Sequence, residues 1–206
     1  MSRSLFITLE GGEGAGKSTA AQFIRDWLVS RGRSVRLTRE PGGSPLAEAI
    51  RTVVLADWPE GMPAETETLL MFAARAAHVQ ATIQPALAAG KDVICDRFVD
   101  ASWAYQGEGR GIAAERLAEL ESFVLKGFAP DITLLFDLPP EQGLLRARSR
   151  GDTNRFEAEA LAFQQRVRAA YLRRAQAAPE RYQVIDASAP LPEVQAALIA
   201  ALERRL

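Results

Sequence analysis

The segment Gly11-Gly12-Glu13-Gly14-Ala15-Gly16-Lys17-Ser18 satisfies GxxxxGK[ST], and it stands between a short apolar run and an amphipathic stretch. That position commits the chain to a strand, a tight loop and a helix in succession, the unit from which parallel α/β sheets are built. The chemistry follows from the residue types. Glycines let backbone N–H groups curl around phosphate oxygens without Cβ clashes, and the helix that follows presents its N-terminal N–H groups and positive dipole end. Gly11, Gly12, Glu13, Gly14, Ala15 and Gly16 therefore form a cradle for the phosphates of a nucleotide. Lys17 is expected to reach the β and γ phosphates and Ser18 to ligate Mg²⁺, and Thr19 in the first helical turn is a further candidate for phosphate contact.

The rest of the chain supports the same architecture. Short β-rich apolar runs occupy residues 4–9, 34–38, 92–95, 132–136 and 183–185, which implies five strands. Ala20, Phe23, Ile24, Trp27 and Leu28 recur at helical spacing, and Gly32 marks a stop. Helical patterns also fit residues 46–55, 65–89, 113–125, 157–177 and 192–205, with Gly90 and Gly127 as plausible ends. The alternation predicts a doubly wound, mostly parallel five-stranded sheet with helices on both faces. With 206 residues and no repeat or linker, one domain over 1–206 is expected. Residues 57–64 and 151–154 read as loops.

Charge and cysteine usage narrow the partners. Twenty-five basic residues against 26 acidic ones leave a net charge of −1, which provides no cationic field for nucleic acid or an anionic membrane. Cys95, the single cysteine, sits in an apolar run and cannot form an internal disulfide, which fits a reducing compartment. The apolar residues 5–9 are too short for a signal-peptide core and run into Glu10. No run reaches transmembrane length, so a cytoplasmic protein acting on small molecules is expected.

A phosphate loop alone does not define a reaction, because GTPases, ATPases and kinases share it. No Asn-Lys-x-Asp guanine signature is present. Further segments are Thr38-Arg39-Glu40-Pro41-Gly42-Gly43, Phe72-Ala73-Ala74-Arg75, Asp96-Arg97-Phe98, Ala104-Tyr105-Gln106-Gly107 with Gly109-Arg110-Gly111, and an arginine-rich stretch over 146–157. Taken together and in this order, they resemble the thymidylate kinases along almost the whole chain. The resemblance implies a nucleoside monophosphate kinase fold, transfer of the γ-phosphoryl group of ATP to dTMP with Mg²⁺, and a homodimer. Two other readings stay open: a kinase for another monophosphate, and an ATPase or regulatory nucleotide-binding protein.

The resemblance also carries roles. Asp96 and Arg97 fall at the carboxyl end of a strand, where open α/β sheets bind ligands. Arg97 is expected to hold the acceptor phosphate with its planar fork, and Asp96 to hold a Mg²⁺-bound water, directly or through Ser18. Ser102 is expected at the thymine edge and Tyr105 under the sugar, where a ring crowds a ribose 2′-OH, with Gln106 in the same site loop. Arg75 is expected on a base carbonyl. The family's stacking aromatic lies four residues before that arginine, where this chain has Met71; Phe72 is displaced by one, and either residue is equally readable as core. Glu13 is expected near the acceptor 3′-OH and the metal shell, and Glu40 and Pro41 beside the acceptor. His78, the only histidine, has no metal-binding cluster around it and reads as structural or peripheral. Arg146, Arg148, Arg150 and Arg155 form either a solvated basic face or a lid over 146–157 that closes on polyphosphate. The loop carries no arginine of its own, so the lid is expected to supply it: Arg150 matches best, Arg148 is the rival, and Arg146 is assigned to ATP.

Overall fold

Strand β1 (Phe6–Gly11) is buried along its whole length and forms the middle of the sheet. β2 (Val35–Arg39), β3 (Asp92–Asp96), β4 (Ile132–Asp137) and β5 (Tyr182–Asp186) complete it in the order β2-β3-β1-β4-β5. All four pairings are parallel. These assignments come from a computed structural model that describes residues 3–148, 156 and 159–206. Because each residue of a strand faces the opposite side from its neighbour, the near-continuous apolar sequence of β1 feeds two cores. Ile7 and Leu9 pack with Ile24 and Leu28 of α1 (Lys17–Ser30) and with Leu198 of α9 (Leu191–Glu203). Phe6 turns the other way, toward Phe72 of α3 (Ala64–His78), Phe98, and Leu117 of α6 (Ala114–Leu125). Leu135 of β4 packs with Val167 and Tyr171 of α8 (Leu161–Ala177).

Every strand read from the sequence is present, each extending one or two residues further at its carboxyl end or shifted toward it, except for β5, which gains a residue at both ends. Gly32 and Gly90 sit at φ 75° and 77° just past the ends of their helices, as expected of residues that stop a helix in the left-handed region. The single helix expected over 65–89 is interrupted. α3 ends at His78, a π-helical turn spans Val79–Ile83, and α4 (Gln84–Ala88) follows. Pro85 explains the break: it has no N–H to give residue 81, and its ring would clash with that carbonyl in a regular helix. A second π-helical stretch, Trp103–Gly109, continues α5 (Val99–Ser102) and carries Tyr105 and Gln106. Residues 56–63 join α2 (Pro45–Leu55) to α3 without helix or strand, as expected. α7 (Pro140–Arg148), absent from the sequence reading, runs into the start of the expected lid, while the loop expected at 151–154 lies outside the described residues.

Candidate active site

The register brings Gly11, Asp96 and Asp137 to one edge of the sheet, at the carboxyl ends of three adjacent strands. The phosphate loop crosses this edge. Gly11, at φ 137°, lies so close to β4 that a Cβ would stand 2.4 Å from the Phe136 carbonyl oxygen. Gly14, at φ 70°, meets Gly143 of α7 in the same way, with 2.1 Å between its notional Cβ and the Gly143 oxygen. The approach is reciprocal, since a Cβ on Gly143 would stand 2.4 Å from the Glu13 oxygen. Glycine inside a helix normally costs about 1 kcal/mol relative to alanine. Here the usual sign should reverse: Gly143→Ala is expected to lower the melting temperature, by an overpacking cost of about 1–3 kcal/mol, and to raise the KM for ATP. Gln142→Ala, on an exposed position of the same helix, serves as the control in thermal melts and steady-state assays.

Lys17 is folded back onto the loop, donating from Nζ to the Gly11 and Gly12 carbonyl oxygens at 3.0 and 2.8 Å. Burial lowers its pKa, and the neighbouring Arg97 guanidinium adds to this. The Asp96, Glu13 and Glu10 carboxylates oppose that shift only in part, and an incoming anion would offset the remaining loss of solvation. Arg97 adopts φ 68°, a left-handed conformation uncommon outside glycine, with its N–H donating to the Leu9 carbonyl at 2.9 Å. The turn sends its side chain back under the loop. Nη2 meets Glu13 Oε1 at 2.7 Å and Nη1 donates to the Gly11 carbonyl at 3.0 Å. The Tyr105 hydroxyl also donates to Glu13 Oε1, at 3.1 Å, and the guanidinium lies 4.8 Å from the centre of the Tyr105 ring.

A cavity of about 420 Å³ opens here, lined by the loop from Glu13 to Ser18 and by Arg39, Glu40, Pro41, Arg51, Leu55, Met71, Asp96, Arg97, Ala101, Tyr105, Gln106 and Phe156. Ser18 donates to Asp96 Oδ2 at 3.3 Å, while Asp96 Oδ1 is buried with no hydrogen-bond partner among the described residues. An unsatisfied buried carboxylate oxygen beside a hydroxyl fits a hard cation with oxygen ligands. Gln106 donates from Nε2 to Glu67 at 2.7 Å, leaving its buried Oε1 as an acceptor without a partner among the described residues. A second cavity of about 280 Å³ lies on the other side of the loop, against Ala15, Gly16 and Thr19, with Arg146, Phe23 and Ala187 among its walls. Arg146 donates to the Ala187 carbonyl at 3.0 Å. The site is thus a pair of pockets flanking one phosphate cradle.

The sequence model of the family described as thymidylate kinase matches residues 9–198. This chain belongs to the thymidylate kinase family. Among its relatives, the thymidylate kinase of Pseudomonas savastanoi pv. phaseolicola is 57% identical over 194 residues, covering 94% of this chain and 92% of the relative. That of Pseudomonas putida strain GB-1 is 58% identical over 191 residues, covering 93% and 91%. The crystal structure of thymidylate kinase from Ehrlichia chaffeensis superposes with a TM-score of 0.79 at 32% identity, covering 98% of this chain and 99% of that one.

Not every residue expected from the thymidylate kinase resemblance reaches the cavity. Phe72 does not: successive helical positions point about 100° apart, so Met71 faces the pocket while Phe72 is buried in the core with Phe6 and Phe98. Arg75 and Ser102 stand behind the wall. Arg75 donates to Glu40 Oε2 at 2.7 Å, to Ser102 Oγ at 3.0 Å and to the Phe98 carbonyl at 3.1 Å. His78 is buried behind the wall as well, with Nδ1 3.1 Å from Glu40 and Nε2 2.6 Å from Thr38 Oγ1. Cys95 is buried, and burial pushes its thiol well above the usual range, so it offers no thiolate. Arg150 and the Arg148 side chain lie outside the described residues.

Other residues at the site escaped the sequence reading. Arg51 lines the cavity and donates to the Pro41 carbonyl at 2.8 Å; burial and the neighbouring Arg39 charge lower its pKa. On sequence alone it is one basic residue on an amphipathic helix. Glu10 is wholly buried and its carboxyl is pushed up to about 8 by burial and by the charge of Asp100. Phe156 meets the Tyr105 ring edge-on at 5.8 Å.

Proposed function

We propose that the larger cavity takes dTMP with its phosphate against Arg97, that the smaller one takes the adenine end of ATP, and that the phosphate loop aligns the two. The chain is an ATP:dTMP phosphotransferase, making dTDP and ADP for dTTP synthesis. The observation that carries the geometry is Arg97, turned by its left-handed backbone so that its guanidinium lies beside the Lys17 loop at the cavity floor. An oxygen of the dTMP phosphate attacks the γ-phosphorus, and the bond from that phosphorus to the β,γ-bridging oxygen breaks, releasing ADP. The nucleophile is already anionic, so the protein contributes alignment, charge and exclusion of water. Lys17 leaves the Gly11 and Gly12 carbonyls for the β and γ phosphates, and the lid arginines Arg150 and Arg148 meet the transferring group. Ser18 and Asp96 would hold Mg²⁺, directly or through water, and the ion would neutralise phosphate charge. Gln106 Oε1 offers an acceptor to the imide N–H of thymine, and Met71 lies against the base.

Incubating the enzyme with MgATP and dTMP, dUMP, dCMP, UMP or ribothymidine monophosphate, and identifying products, tests the acceptor. dTDP should form fastest; a preference for dCMP or UMP would overturn the assignment. One methyl group separates dTMP from dUMP, worth about 1–3 kcal/mol in an apolar pocket, so dUMP should be a poor substrate rather than an inert one.

Tyr105 supplies the sugar filter. Its hydroxyl is tied to Glu13, and its ring is fixed by edge-on contacts with Phe156, Phe163 and Tyr171. A ring held so firmly cannot yield to a 2′-OH. Tyr105→Ala should therefore lower the ratio of kcat/KM for dTMP over the ribonucleotide by roughly ten- to hundredfold. An unchanged ratio removes the filter.

Two further elements belong to this reading. The exposed apolar side chains Leu69 of α3 and Phe123 of α6, 58% and 77% exposed on neighbouring helices, support a homodimer built on this face. No described helix is long and apolar enough to cross a membrane, and the cytoplasm is the compartment we assign.

A further inference from the structure

Behind Arg97 lies a carboxyl group that phosphoryl transfer does not itself use. Glu10 follows Leu9 and precedes Gly11 in β1, and its side chain is fully buried. Glu10 Oε1 accepts the N–H of Phe98 at 2.7 Å, and Oε2 accepts the hydroxyl of Tyr171 at 2.8 Å. The Tyr171 oxygen in turn accepts from Arg97 Nη1 at 3.3 Å. Three consecutive residues of β1 thus grip the left-handed turn. Leu9 holds the Arg97 amide, Glu10 holds the next amide, and Gly11 shares the guanidinium with Tyr171.

We propose that Glu10 and Tyr171 act as one positioning unit, fixing the Arg97 backbone and guanidinium in the orientation that meets the acceptor phosphate; this rests on the acceptor role given to Arg97 above. A left-handed conformation at a non-glycine residue persists only where its surroundings over-determine it. The Phe98 amide and the Arg97 guanidinium are two handles on the same turn, and Glu10 reaches both, the second through Tyr171. A carboxyl buried with no cation in direct contact among the described residues is costly, as its raised pKa reflects, and a core-filling role would be met more cheaply by an apolar side chain. Tyr171 is the long-range half of the unit, 161 residues away on α8, so the acceptor end of the site depends on how α8 seats against β1.

The test is a set of conservative variants of the intact enzyme: Tyr171→Phe, Glu10→Gln, the pair together, and Tyr171→Phe combined with Arg97→Ala. For each, KM for dTMP, KM for ATP, kcat and melting temperature are measured at about pH 9, above the value of about 8 to which the Glu10 carboxyl is pushed, so that Glu10→Gln removes a charge. Each single change should raise the dTMP KM roughly ten- to hundredfold, the size of a lost hydrogen bond to a charged group, with the ATP KM held within about twofold. The pair should cost clearly less than the product of the singles, and Tyr171→Phe should add nothing once Arg97 is alanine. Lower melting temperatures with an unchanged dTMP KM would overturn the proposal and leave the pair as core. So would equal increases in both KM values, or singles that multiply. Arg97→Ala alone guards the underlying reading: an unaltered dTMP KM there would defeat the acceptor role of Arg97 itself, which is a different failure from an inert Tyr171→Phe.

Discussion

Lys17→Ala is expected to retain the fold and lose nearly all phosphoryl transfer. Among the described residues Lys17 Nζ bonds to the Gly11 and Gly12 carbonyls of its own phosphate loop, so its loss removes no link to a distant part of the chain. Its value is realised in the complex, where a cation nine-tenths buried meets the β and γ phosphates with little water to screen it. Removing one preorganised donor from a site of developing charge costs roughly 10²–10³ in kcat, and Lys17 contributes a full charge besides. Steady-state assays beside thermal melts check both halves of the expectation. A variant that keeps full activity would defeat the assignment of the phosphate loop, and one that fails to melt cooperatively would mean that Lys17 supports the fold.

Arg150→Ala is expected to have the largest effect on kcat. Arginines acting on a transferring phosphoryl group are worth about 10³ to 10⁵ in rate, whereas an exposed structural ion pair contributes roughly 0–1 kcal/mol. These scales do not overlap. An arginine that reaches the phosphoryl group only in the closed complex should lower kcat severely when removed while leaving dTMP affinity and melting temperature nearly unchanged. Arg97→Ala should do the opposite, mainly raising the KM for dTMP, because Arg97 already faces the cavity in the free enzyme. Arg148→Ala, measured in parallel, decides between neighbours: a larger loss there moves the catalytic role to Arg148. Near-normal kcat in both would return residues 146–157 to a solvated basic face.

What the sequence disclosed was local, and what it hid was mostly long-range. The phosphate loop, the strands and the Asp96-Arg97 pair were legible because each is written in adjacent residues whose types have one dominant physical use. The break after α3 was hidden behind an apolar periodicity that continues through Pro85, although the proline itself was the signal for it. Phe72 was misplaced as a candidate base contact because a one-residue shift on a helix turns a side chain through about 100°, from pocket to core. In the sequence Glu10 is only the charge at which the apolar run 5–9 stops, and Arg51 one basic residue on an amphipathic helix. Their roles depend on partners that only the fold brings close, Tyr171 for the one and the Pro41 carbonyl for the other. Gly143 had no motif to announce it, since its constraint is the backbone of Glu13 and Gly14 lying against α7.

In the proposed complex two pockets hold dTMP and ATP end to end across one phosphate loop. A ligand that joins thymidine and adenosine through a five-phosphate chain spans both, and calorimetry of its binding reports on that arrangement. If the pockets face each other as described, tethering makes the second contact intramolecular, and the Kd should fall roughly 10²- to 10⁴-fold below that of dTMP or ATP alone. Lys17→Ala and Arg97→Ala should each erase much of that gain. A joined ligand that binds no tighter than dTMP alone would contradict the arrangement.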